Sequence, residues 1–230
     1  TGDNVGSENI FLGSDAGRCI TTGCDNIFIG KYSGCKATSA GCNVAIGMNA
    51  AMDLTTGLQN TIVGRQAAEN ITTGCYNSIF GYAANKTGVL TGNSNVFMGH
   101  YAGDDVSSGA SNVYIGKDAG RCATTGGYNI GIGIDALGDA VNTASNNIAL
   151  GNAAGEKVES GASNVLIGQH AGDAVTTGSN YVAIGQHALS AEDTGGSGAI
   201  AIGYHALKVQ NGAWSNNVAI GYEAGATLTE

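Results

Sequence analysis

An apolar triplet closed by glycine returns every 17 or 18 residues along the whole chain. The closing glycines are Gly13, Gly30, Gly47, Gly64, Gly81, Gly99, Gly116, Gly133, Gly151, Gly168, Gly185, Gly203 and Gly221. Thirteen copies fill the 230 residues and leave no room for a second, unrelated domain. A single copy is too short to bury its own apolar residues, so the copies must stack on one another. That requirement constrains the fold more than any other feature of the chain.

Within a copy, positions are numbered from the closing glycine. Position −1 is always apolar, from Leu12 to Ile220, and position −3 is Ile or Val in eleven copies, with Thr61 and Ser78 as departures. Apolar, β-branched residues two apart and followed by glycine predict a short strand with one buried face. Asn opens the strand at −4 in eleven copies, with Tyr181 and Ala199 as departures. Position +3 is Ala throughout except for Ser33, which predicts a tight interior corner. A polar turn follows, often Thr-Thr-Gly, as at Thr21-Thr22-Gly23. Seventeen residues fit one coil of a parallel β-solenoid, and thirteen coils at strand spacing would make a rod roughly 60 Å long. The expected fold is therefore all-β, one repetitive solenoid domain over residues 1–230. It is expected to be uncapped, because the chain opens on Thr1-Gly2 and stops at Glu230 within a turn. The Asn row is expected to form a ladder of side-chain amides bonded to the backbone of the next coil.

Composition narrows the function classes. The chain has 39 Gly, no Pro, 12% charged residues and a formal charge of −9. The acidic balance and the lack of a basic patch argue against a nucleic-acid partner. No apolar run is long enough to cross a membrane as a helix, so membrane insertion is not expected. The fixed register of apolar positions argues against disorder despite the glycine content.

Position −2 lies between two residues that share a face and must point to the other one. It is occupied by Phe11, Phe28, Ala45, Ile62, Ile79, Phe97, Tyr114, Gly131, Ala149, Leu166, Ala183, Ala201 and Ala219, without a charge among them. If −1 and −3 fill the interior, this row is an apolar stripe on the outside and marks an interface with other chains. The expected interface residues are Phe11, Phe28, Ile62, Ile79, Phe97, Tyr114 and Leu166.

The stretch "NVAIGMNAAMDLTTGLQN", residues 43–60, resembles the repeats in the shafts of bacteriophage tail fibres. "SNNVAIG", residues 215–221, is similar to the head repeats of trimeric autotransporter adhesins. The resemblance covers essentially the whole chain, although the adhesin repeat is shorter than 17 residues. It implies a trimeric, elongated fibre outside the cell or on a virion surface, and no catalytic residue. Self-association, as a homotrimer or an end-to-end filament, is the expected partnership. Tyr82, Tyr101, Tyr204 and Tyr222 are candidates for contact with a cell-surface glycan.

Six cysteines show no CxxC pattern. The repeat register brings Cys19 near Cys35 and Cys24 near Cys42 in adjacent coils, so these two pairs are expected as disulfides, which would imply an oxidising compartment. Cys75 and Cys122 have no cysteine in a neighbouring coil. His170, His187 and His205 share position +2 in consecutive coils and are the candidate metal ligands, but no adjoining carboxylate row completes a site, and no cofactor is expected. Asn70-Ile71-Thr72 and Asn85-Lys86-Thr87 match the glycosylation sequon. No nucleophile elbow, paired carboxylate or phosphate loop is present, so no enzymatic activity is expected. An alternative function is an ice-binding solenoid presenting a Thr ladder. The Thr row breaks at Val89-Leu90, Ser107-Ser108 and Gln210-Asn211, which argues against an unbroken ice-binding face.

Overall fold

A computed structural model of the chain describes residues 6–191, 196–210 and 216–228. Thr1-Gly2, Asn211 and Glu230, on which the readings of the chain ends and of one Thr-row break rest, lie outside the described residues. Among the described residues there is no helix, and every strand but two is a three-residue element of the repeat. The chain forms two compact units, Thr1–Asn112 and Val113–Glu230.

The first unit holds β1 (Ile10–Leu12), β2 (Ile27–Ile29), β3 (Val44–Ile46), β4 (Thr61–Val63), β5 (Ser78–Phe80) and β6 (Val96–Met98). Each pairs in parallel with the next, one repeat apart, so that Phe11 lies beside Phe28 and Ile79 beside Phe97. The second unit holds β7 (Val113–Ile115), β8 (Ile130–Ile132), β9 (Ile148–Leu150), β10 (Val165–Ile167), β11 (Val182–Ile184), β12 (Ile200–Ile202), β13 (Val209–Gln210), β14 (Val218–Ile220) and β15 (Thr227–Leu228). There β7 to β12 and then β14 pair in the same way, and β13 pairs with β15 on a separate ladder. Both units are β-solenoids with one coil per repeat, as the period predicts.

The turns are as regular as the strands, because their backbone groups also bond to the neighbouring coil. Tyr32 N–H donates to the Ser14 carbonyl at 2.9 Å, Lys36 to Met52 at 3.0 Å and Thr38 to Thr55 at 3.0 Å. Such bonding satisfies buried backbone without a helix or a wide sheet. The coil closes in 17 residues because it reverses direction with left-handed backbone at fixed places. Position +2 has φ near +55° in copy after copy, from Asp15 and Tyr32 to His187 and His205. The closing glycine is needed for a different reason. Gly168 has φ of +130°, and a Cβ there would stand 2.6 Å from the Gly185 carbonyl oxygen of the next coil. Only glycine permits both the dihedral and that approach.

Eighteen-residue copies keep the strand register, with Ser78 still beside Val96. Between Gly81 and Gly99 the extra residue is absorbed in the turn, where Leu90 turns inward and is fully buried while Val89 stands in solvent.

The interior is narrow and follows the sequence in an unexpected place. Alternation along the strand buries the −2 row and turns −1 and −3 outward. Phe28, Ile62, Ile79, Phe97, Tyr114 and Leu166 are completely buried within their own solenoid. The expectation that they form an inter-chain interface is thus corrected. Phe11, half-buried in the first described coil, belongs to the same row and stacks on Phe28 with ring centroids 5.5 Å apart. The physical reason is lumen width. A 17-residue coil cannot enclose two columns of branched side chains as well as the buried +3 Ala column, but it can enclose a single central column.

Size compensation between −2 and +4 fills that lumen. Where −2 is an aromatic ring or Leu166, +4 is glycine: Phe11 with Gly17, Phe28 with Gly34, Phe97 with Gly103, Tyr114 with Gly120 and Leu166 with Gly172, while Ile62 and Ile79 are paired with Ala68 and Asn85. Where −2 is Gly131, Ala183 or Ala201, position +4 is Leu137, Leu189 or Leu207, each buried. A Cβ at Gly34 would meet the Phe28 ring at 2.5 Å, which shows that one site is filled by either position. Ala45 with Ala51, Ala149 with Gly155 and Ala219 with Gly225 depart from the pattern, and at Gly155 the gap is taken by Leu166 and Leu137 from adjacent coils.

The Asn row forms the expected ladder and is buried. Asn60 Oδ1 accepts from the Asn77 backbone N–H at 2.9 Å, while its Nδ2 donates to the Gly74 carbonyl at 2.8 Å and to Asn43 Oδ1 at 2.9 Å. Equivalent bonds join Asn26 to Asn43 in the first unit and Asn129, Asn147 and Asn164 in the second. At the departure, Tyr181 still donates its backbone N–H to Asn164 Oδ1 at 2.9 Å.

Candidate assembly interface

The reversal of faces moves the exposed apolar stripe rather than removing it. The side chains of −1 and −3 now form two parallel columns on the outside of each sheet. In the first unit they are Ile10, Ile27, Val44, Thr61, Ser78 and Val96 beside Leu12, Ile29, Ile46, Val63, Phe80 and Met98. In the second unit every member of both columns is Ile, Val or Leu, from Val113 and Ile115 to Val218 and Ile220. None carries a charge, although the protein has a formal charge of −9. Most are half-exposed because neighbours on the same face cover their flanks, and Met98 keeps 45% and Leu12 65% of its surface in water.

Strand spacing gives the scale. Six or seven strands about 4.8 Å apart, each three residues wide, make a face on the order of 300 Å² in each unit. A face of that size lies at the lower end of the largest apolar patch that a typical monomer exposes, and what distinguishes it is the absence of charge over its whole length in each unit. The outward-facing residues that sequence reasoning placed inside are Ile29, Val63, Phe80, Ile115, Ile167 and their column neighbours. The signal that could have found them is the −2/+4 size compensation, since two positions that trade volume must share the interior.

Other expected sites resolve differently. No disulfide joins Cys19 to Cys35 or Cys24 to Cys42. The backbone ladder explains this correction. Cys19 N–H donates to the Cys35 carbonyl and Cys42 N–H to the Cys24 carbonyl, so each pair is offset by one residue across the ladder. Successive side chains leave the chain on different sides, and Cys35 is buried while Cys19 is half-exposed. Burial pushes the Cys35 thiol above its ordinary range, and hydrogen bonding to Asp25 does the same for Cys24. Both shifts disfavour the reactive thiolate. Cys75 Sγ is bonded locally, donating to the Thr73 carbonyl and accepting from Leu58 N–H, each at 3.3 Å. For Cys122, the backbone N–H donates to the Gly138 carbonyl at 3.1 Å.

His170, His187 and His205 are brought together as the register predicts. The first two rings stack at 5.0 Å with 2° between planes, and His187 meets His205 edge-on at 5.3 Å. His170 Nδ1 lies 3.0 Å from Asp173 Oδ2. Among the described residues, no three His, Cys, Asp or Glu side chains converge as metal ligands. Burial is the first cause that lowers the His187 pKa, with His170 second.

The tyrosines expected at the surface form stacks. Tyr82 lies parallel to His100 at 5.3 Å with the Arg65 guanidinium 5.7 Å from its ring, and Tyr204 stacks on Tyr222 at 5.2 Å. Of the two sequons, Asn85 is fully buried and donates to the Gly103 and Val106 carbonyls, so its amide is inaccessible to a glycan. Asn70 is half-exposed.

No family model, no curated protein and no solved structure matches the chain.

Proposed function

We propose that this chain is a structural, self-associating segment of a fibre, whose coils supply reach and stiffness and whose outer sheet face joins it to other copies. The observation that carries this reading is the uncharged double column on the face of each solenoid unit, all Ile, Val and Leu in the second unit and mostly so in the first, where Thr61, Ser78, Phe80 and Met98 depart. Like-charged copies can approach closely only where neither carries charge, and this face meets that condition. Repeat resemblance to tail-fibre shafts and trimeric adhesin heads supports assembly of several copies at a cell or virion surface. The stacked, outward Tyr82 and Tyr222 then offer aromatic edges to a glycan.

The alternative of ice binding is not favoured. Thr21, Thr38 and Thr55 each donate their hydroxyl to the carbonyl of the next coil, which commits those hydrogens to the protein.

The test is the oligomeric state of the purified chain by sedimentation, with electron microscopy of the particles. Wild type is expected to associate, and Ile29→Asp combined with Ile167→Asp is expected to release soluble monomers of unchanged strand content. A wild type that stays monomeric at every accessible concentration overturns the proposal. Thermal hysteresis from that monomer would establish the alternative.

A further inference from the structure

The face of the first unit is uneven at one level, and the unevenness is paired. Ser78 is the smallest side chain in the two columns and Phe80 the largest, and both lie on β5. Thr61, the next smallest at −3, sits one coil away on β4, and Val96 stands on the other side on β6. Ser78 and Phe80 point outward on the same face, separated by the fully buried Ile79.

We propose that a second copy of this chain packs on this face coil for coil, with its coils stacked in the same direction, and that Ser78 and Phe80 set the axial register. The inference rests on the self-association proposed above and names the arrangement of the partner. A twofold rotation about an axis parallel to the stacking direction preserves the level of every coil. It reverses strand direction, so the −3 column of one copy meets the −1 column of the next. Ser78 of one copy then faces Phe80 of the other, and the hole at one site receives the bulk of the other. The neighbouring levels pair Thr61 with Val63 and Val96 with Met98.

Other arrangements lose this fit. Slipping by one coil sets Phe80 against Val96, two branched or bulky groups competing for one space. A twofold axis perpendicular to the stack and passing through β5 sets Phe80 against Phe80 and leaves Ser78 facing Ser78. Elsewhere the columns are nearly uniform in size and would tolerate a slip, because identical coils offer identical surfaces. The single uneven level supplies the register that a uniform face lacks. Each unit offers a face on the order of 300 Å², less than the roughly 800 Å² that each partner contributes to a standard interface, so the pairing of one unit's face alone is weak and depends on the fit at this level.

The test is an exchange of volume. Ser78→Phe, Phe80→Ser and the double variant S78F/F80S are compared with wild type by sedimentation equilibrium, with circular dichroism on each. Ser78→Phe sets two rings against each other and Phe80→Ser leaves a hole, so each single variant is expected to weaken association about tenfold or more. The double variant restores the pairing with the columns exchanged and is expected to return to within about threefold of wild type. All three should keep wild-type strand content, since both side chains project outward. Wild type without association overturns both this inference and the self-association on which it rests. An associating wild type whose double variant is no tighter than the weaker single variant overturns the register inference and leaves self-association standing. Loss of strand content in Ser78→Phe would place position 78 inside the fold and overturn the inference as well.

Discussion

Phe28 offers the most direct test of which row fills the coil. It is completely buried, stacks on Phe11 at 5.5 Å and lies against Gly34, where an added Cβ would meet its ring at 2.5 Å. Phe28→Gly removes the ring from a lumen that cannot collapse, because each coil is held on both sides by backbone hydrogen bonds. The expected loss is about 3–5 kcal/mol, the usual range for deleting a buried aromatic ring. Gly34→Leu alone forces a branched side chain into the ring and costs about 1–3 kcal/mol by overpacking. The double variant F28G/G34L, however, reproduces the pairing of Gly131 with Leu137. Leu137 has φ of +55°, the same as Gly34, so leucine can take up this backbone, although left-handed geometry costs a non-glycine residue about 1–2 kcal/mol in both Gly34→Leu and the double variant. Leu in place of the ring should recover at least about 1–2 kcal/mol of the Phe28→Gly loss.

The assay is amide hydrogen exchange of Gly34 and Ile27, whose N–H groups donate to Ala50 and Asn43 in the next coil. It reads local opening and needs no two-state assumption, which a stack of repeats does not guarantee. Protection should fall about two to four decades in Phe28→Gly and recover by about one decade in the double variant. If the two substitutions add, or if Phe28→Gly leaves protection unchanged, the lumen is not filled by the −2/+4 pair and the face assignment is wrong.

Asn60→Ala should cost about 2–5 kcal/mol, because it strands the buried Asn77 N–H and Gly74 carbonyl, and a thermal melt would register it. A loss under about 1 kcal/mol would mean that water replaces the ladder. Gly168→Ala should destabilise its coil by about 2 kcal/mol or more, since φ of +130° and the Gly185 carbonyl both oppose a Cβ; exchange of Gly185 N–H would locate the damage. His187 has a lowered folded pKa, so its neutral form contributes stability that is complete above the ordinary imidazole value of about 6.5 and is lost as pH falls below it. Asp173 and Glu156, both raised mainly by burial, act in the opposite sense: their contribution is present at low pH and is lost as pH rises through their folded values. Melting temperature of the coils around β10 and β11 should therefore fall between pH 7 and pH 5.5, and His187→Asn should flatten that slope. An identical slope in the variant would remove His187 as its source.

Much of this protein is legible in its sequence. Period, strand position, the Asn ladder and the small interior corner at +3 follow from residues that recur in register, because each coil must repeat the conformation of the coil beneath it. The column of His170, His187 and His205 follows for the same reason. The choice of inside and outside does not follow from apolarity, because all three strand positions are apolar in every copy but those of Thr61 and Ser78, and alternation separates them without saying which side is enclosed. The tertiary structure decides it through the lumen, which has room for one central column and trades volume between Phe28 and Gly34 or between Gly131 and Leu137. The cysteines show the same division at finer scale. Sequence places Cys19 at +6 and Cys35 at +5 of adjacent coils and so contains the one-residue offset, but only the three-dimensional register shows that this offset keeps their side chains from bridging. What the sequence by itself determines is what repeats; what tertiary structure alone decides is direction, because the sign of a side chain's vector depends on where the coil closes.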